Sequence, residues 1–283
     1  MALRAKGLVA ALADATDHSG GKLCALMLRE ESSDAECELT FAPLNLEPCS
    51  CPNDGAVDAA GRCGARFACT AAQPRVPKKS RQRTRLWVGS KTLLPHGKYC
   101  KDSAGFPSPD PGGPTPAGRL FVVAGADDVR RCDEVGAVTV SNGIGWSPDS
   151  TKMYYVDSPS KCVLAFDFSA ASGNVTNKRL FADTSSMVGV PDGLAVDADG
   201  GVWVALWDGA AVAHFSSAGV LLRRISLPVS RPTSVAFGRG HELYITTCSF
   251  DAGDQAPLLE PLAGAIFVID AGVAGAPVAR CCF

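Results

Sequence analysis

Apolar positions between residues 142 and 230 come in short runs separated by polar or glycine-bearing turns. Each run is too short for a globular helix and is rich in Val, Trp, Tyr and Phe, so the pattern predicts strands. One group is "GIGW", "KMYYV", "VLAF" and "KRLF", separated by "SPDST", "DSPSK" and "DFSAASGNVTN". A second is "GLAV", "VWVAL", "AVAHF" and "VLLRRISL", separated by "DADG", "DG" and "SSAG". Four strands per unit, at a period of about 40 to 50 residues, is the signature of a β-propeller blade.

The repeat extends in both directions. "TSVAFGRGHELYITTC" with "GAIFVID" supplies a third unit, and "NDGAVDAAGR" opens an earlier one. When the glycines are aligned, Asp54, Asn142, Asp192 and Thr233 fall on one repeat position. The step from 54 to 142 is about twice a blade. The excess is assigned to residues 74–115, whose Lys, Arg, Pro and Gly content predicts an insertion without fixed structure inside a single domain spanning 1–283. The fold class expected is therefore all-β, a propeller of about five blades built from four-stranded antiparallel sheets.

In a propeller the first strand of each blade lines the central channel, so equivalent positions converge on the axis. Asn142, Asp192 and the Asn53-Asp54 pair would then turn carboxylate and amide oxygens to one volume, a hard-ligand set suited to calcium, magnesium or manganese. The plainer alternative is that Asn and Asp before Gly are turn formers. A turn does not demand the same register in every blade, and that favours the shared site.

Composition narrows the picture without changing it. The chain has 283 residues, 46% of them hydrophobic, and a formal charge of −2, which speaks against a nucleic-acid or membrane partner. The apolar runs fall short of the roughly 20 residues that span a bilayer, and the N-terminal segment has Asp where a signal peptide has its cleavage site, so a cytoplasmic protein is expected. Twelve scattered cysteines in a chain of this length read as reduced thiols. The "KKSRQRTR" run (78–85) reads as a solvated basic loop. No Gly-x-Ser-x-Gly elbow or phosphate loop occurs, and His214, on an apolar strand, reads as a packed histidine.

"SNGIGWSPDSTKMYYVDS", "VPDGLAVDADGGVWVA", "LPVSRPTSVAFG" and "NDGAVDAAGR" resemble the motifs of the gluconolactonase, regucalcin and senescence-marker-protein family. The likeness covers Gly118 to the C-terminus and, more loosely, residues 1–63. It implies a six-bladed type of propeller with one divalent metal in the channel, Ca2+ first and Zn2+ or Mn2+ as alternatives, and hydrolysis of a sugar lactone. By the same resemblance Asn142 matches an amide metal ligand, and Asp192 matches an aspartate that is both ligand and catalytic base. Asn53 matches an asparagine that contacts substrate or metal, with Asp54 in support. Three departures stand out: no Glu-Gly-Pro motif occurs, Cys51 stands where relatives carry a substrate-binding arginine, and no Glu lies between Gly61 and Leu120. Residues 1–48 read as the later strands of a blade whose first strand is absent or a stub. A non-catalytic calcium-binding propeller is the alternative function.

Overall fold

In the computed structural model, residues 8–12, 22–27, 38–43, 50–57, 85–92, 118–125, 128–249 and 260–277 are described. They form eighteen strands in five antiparallel sheets. The first sheet is β1 (Leu8–Leu12), β2 (Lys22–Met27) and β3 (Glu38–Pro43). The second is β4 (Ser50–Val57), β5 (Leu86–Thr92), β6 (Leu120–Gly125) and β7 (Asp128–Arg131). The third runs through β8 (Ser141–Trp146), β9 (Lys152–Asp157), β10 (Cys162–Ser169) and β11 (Asn174–Asp183). The fourth is β12 (Val190–Val196), β13 (Val202–Trp207), β14 (Ala211–Phe215) and β15 (Leu221–Ser226). The fifth is β16 (Pro232–Phe237), β17 (Glu242–Thr247) and β18 (Ile266–Asp270).

Each sheet is a meander, and the sheets meet through their first strands: β4 packs on β8, β8 on β12 and β12 on β16. Second strands also reach the next blade, with β5 against β8, β9 against β12 and β13 against β16. β1 packs on β4.

Side chains alternate across each strand, so a blade between two others buries both faces. On β9, Met153 and Tyr155 join Trp87, Trp146 and Phe168 on one side, while Tyr154 and Val156 join Leu194 and Val204 on the other. Three aromatic rings, Trp87, Trp146 and Phe168, meet with centroids 5.8 to 6.0 Å apart at the junction of the β4–β7 and β8–β11 sheets. On β13, Trp203 and Ala205 pack with Val235, Leu243 and Ile245 of the last sheet. Each fully buried side chain of this size contributes on the order of 1.5–3 kcal/mol.

Residues 74–115 depart from expectation. Leu86–Thr92 form β5, paired to β4 and β6, and Trp87 is fully buried. The basic run ends in Arg85, which is also buried and donates to the carbonyls of Ala170 and Ala171 at 3.0 and 2.7 Å, clamping the β10–β11 turn. The remainder of 74–115 lies outside the described residues. The long step from 54 to 142 thus comes from the connections around β5 within one blade, since β4 and β8 are neighbours. Among the described residues no helix is long and apolar enough to cross a membrane.

Candidate functional site

Every first strand carries a break in its ladder at the same place. The register of β8 with β9 shifts between Ser141 and Ile144, and that of β12 with β13 between Pro191 and Leu194. On β16 the shift falls between Pro232 and Ser234, and on β4 between Pro52 and Asp54. The residue that follows the last paired position is Asn142, Asp192, Thr233 and Asn53 in turn. A bulge of this kind frees one residue from the ladder and re-aims its side chain. The register gives Asn53, and not Asp54, the place equivalent to Asn142, Asp192 and Thr233. Asp54 takes the next place, held elsewhere by Gly143, Gly193 and Ser234.

Proline precedes this position in three of the four strands: Pro52, Pro191 and Pro232. Lacking an N–H, proline is confined to strands at the edge of a sheet, and β4, β12 and β16 are edge strands.

Asn142-Gly143 and Asp192-Gly193 lie within strands and not in turns, and neither glycine has a positive φ. The glycines are there for space. A Cβ on Gly143 would lie 2.7 Å from both the Asp192 carbonyl oxygen and the Leu194 nitrogen, and one on Gly193 would lie 2.2 Å from Ser234 Oγ and 2.8 Å from its Cα. Side-chain-free backbone thus lets β8 approach β12 beside Asp192, and β12 approach β16 beside Thr233. Asn142, Asp192 and Thr233 are each half-buried.

The segment entering β8 is tied residue by residue to the end of β9. Asp157 accepts the Thr139 N–H at 3.1 Å and the Val140 N–H at 2.8 Å. Tyr155 donates its hydroxyl to Ser141 Oγ at 2.6 Å, and Asn142 Nδ2 donates to Ser158 Oγ at 2.6 Å. Burial pushes the Asp157 carboxyl above its usual range, against the two backbone N–H groups that favour its ionised form. On β16, the hydroxyls of Thr233 and Thr246 lie 2.7 Å apart. Beside them Arg231 pairs with Asp208 at 2.7 Å, and its guanidinium lies 5.3 Å from the Trp207 ring centroid.

Sequence reasoning missed Ser158, Asp157 and the Trp207–Asp208–Arg231 group. Ser158 and Asp157 sit in "DSPSK", whose composition reads as a plain turn; the signal available was the Asp-Ser pair directly after a strand paired to the Asn-bearing one. Asn53 and Asp54 are placed on β4 by register alone. Among the described residues no three His, Cys, Asp or Glu side chains cluster as a metal site. The candidate donors are instead one amide and one carboxylate on adjacent first strands, a hard-oxygen set compatible with a calcium-class ion that completes its shell with water. His214 is a packed histidine: it stacks on Trp203 at 3.9 Å and meets Asp197 Oδ2 at 3.0 Å.

A family model described as the SMP-30/gluconolactonase/LRE-like region matches residues 2–249. The L-arabinolactonase of Azospirillum brasilense is 37% identical over 141 residues, 50% of this chain and 47% of that protein. The regucalcin of Bos taurus is 39% identical over 145 residues, 50% of this chain and 48% of that protein. The chain thus spans about half the length of the curated relatives it matches. The solved structure of a calcium-binding protein, regucalcin, from Agrobacterium tumefaciens aligns with a TM-score of 0.65 at 22% identity, covering 99% of this chain and 80% of that one. At that identity the likeness speaks for the fold. The aligned sheets, the repeated bulge and the extent of the family match agree, and the chain belongs to the SMP-30/gluconolactonase/LRE-like family.

Proposed function

We propose that the protein is a divalent-cation-dependent hydrolase of sugar lactones, with Asn142 and Asp192 as protein ligands and Asp192 as base. The observation that carries this reading is the shared bulge position on neighbouring strands, which brings an amide and a carboxylate to equivalent places one blade apart. The arabinolactonase relative supports the substrate class.

When bound, a divalent cation, Ca2+ first and Mn2+ or Zn2+ next, supplies Lewis-acid polarisation of the lactone carbonyl. Asp192 accepts a proton from the attacking water. A bond forms between water oxygen and the carbonyl carbon, the ring C–O bond breaks, and the departing alkoxide takes up a proton to give the open hydroxy acid. Asn142 orients within the site through its bond to Ser158. Asn53 and Asp54, on β4 next to β8, are assigned to the sugar hydroxyls.

The experiment is acid release from gluconolactone and a pentonolactone, with and without Ca2+, Mn2+ or Zn2+. Activity that needs the ion and drops about 100-fold or more in Asp192→Ala supports the enzyme. The second reading, a calcium-binding protein without turnover, is favoured by the regucalcin relative and by Cys51 two places before Asn53. Calcium binding without acid release selects it.

A further inference from the structure

An asparagine amide is asymmetric: one branch is an acceptor oxygen, the other carries two N–H donors and repels a cation. A site that uses Asn142 as a ligand must therefore hold its nitrogen away from the ion. Ser158 is placed to do so. The residue is buried, with 4% relative exposure, and Asn142 Nδ2 donates to its Oγ at 2.6 Å. The serine itself is immobilised by its main chain. The Ser158 N–H donates to the Val140 carbonyl at 3.1 Å, its own carbonyl accepts from Lys161 at 3.1 Å, and Pro159 stiffens the 3-10 turn Ser158–Ser160 between them. Asp157, bonded to Thr139 and Val140, fixes the approach to β8 from the other direction.

We propose that Ser158 is a positioning residue, resting on the cation site read above: by taking the amide N–H of Asn142 it commits the carbonyl branch of that amide to the divalent cation. Ser158 does not touch the ion. It acts in the way that outer partners orient ligating groups at metal sites, where their loss typically weakens affinity by about 10- to 100-fold.

The test is a calcium titration of the full chain by calorimetry, together with its melting temperature in the absence of the ion. Ser158→Ala is expected to bind calcium about tenfold more weakly than wild type. In an Asn142→Asp background either carboxylate oxygen can ligate, so orientation ceases to matter and adding Ser158→Ala is expected to change affinity by less than about twofold. That lost coupling separates positioning from a general structural role, which would weaken both backgrounds alike. Should Ser158→Ala fail to fold, Ser158→Cys keeps a side chain of similar reach with a weaker acceptor and is expected to lose affinity several-fold. Unchanged affinity in Ser158→Ala, or an equal loss in the Asn142→Asp background, overturns the proposal while leaving the cation site standing. Absence of calcium, manganese and zinc binding by the wild-type chain at millimolar concentration overturns the site and this inference together.

Discussion

The β12–β15 and β16–β18 sheets are neighbours built on the same meander, yet they bury their strands differently. β13, "VWVALW", is buried on both faces, with one side packed toward β8–β11 and the other toward β16–β18. On β17 and β18 only alternate residues are covered: Leu243 and Ile245 are fully buried, while Ile266 and Val268 are 65% and 50% exposed. β18 reads "IFVID", as continuous an apolar run as β13, so an unbroken run does not by itself mean that a strand is covered on both sides. The sheets also differ in their polar interior. Buried Asp197 accepts hydrogen bonds from the Gly201 N–H at 2.7 Å and Trp203 Nε1–H at 2.8 Å and lies 3.0 Å from His214 Nε2, with Arg223 stacked over Trp203. The last sheet has no such buried carboxylate among its described residues.

Four measurements sharpen or break this contrast. Trp203→Ala removes a fully buried ring and a donor to Asp197 and is expected to cost about 3–5 kcal/mol by urea unfolding; a loss below about 1 kcal/mol would break the picture of a doubly covered strand. Gly143→Ala and Gly193→Ala force a Cβ into backbone at the junctions of β8, β12 and β16, and each is expected to cost about 1–3 kcal/mol. Wild-type stability in both variants would mean that the first strands do not approach so closely.

Burial holds the His214 pKa below the ordinary value of about 6.5, outweighing the opposing pull of Asp197, with Arg223 acting in the same direction as burial. Its stabilising contribution is therefore complete above pH 6.5 and declines as the pH falls below it, when the unfolded chain takes up the proton first. The slope is at most about 1.4 kcal/mol per pH unit, and His214→Gln is expected to flatten it between pH 6.5 and 5 in thermal melts. The smallest effect belongs to the exposed face: Ile266→Thr or Val268→Thr is expected to shift stability by no more than about 0.5 kcal/mol. A loss as large as that of Ile245→Ala would show that this face is covered.

Strands β9, β10, β13 and β14 were legible in the sequence because well-covered strands become short apolar runs, and β8, β11, β12 and β15 because turn residues bound them at a regular period. The common place of Asn142, Asp192 and Thr233 was legible for the same reason. β5 was not. Its seven residues lie between a basic run and a Pro- and Gly-rich stretch, and composition over a long window concealed a strand whose Leu86-Trp87-Val88 repeats Val202-Trp203-Val204. The one-residue error at Asp54 has a different origin. Aligning glycines assumed that each served the same purpose, whereas Gly55 lies one place beyond the position that Gly143 and Gly193 occupy after the break in their strands. Asp197 and Ser158 were passed over because each stands in a polar turn sequence, and only the pairing of the neighbouring strands shows that the turn residue is buried.

At Gly143 and Gly193 the gap between one first strand and the next is no wider than bare polypeptide. The spacing of these first strands is therefore set by how closely a strand without a side chain at that place can approach the backbone of Asp192 and Leu194 in one case and Ser234 in the other. An amide, a carboxylate and a hydroxyl stand on the same ruler at 142, 192 and 233. A change of any of the three would alter the chemistry offered without altering the close approach of the strands that carry it.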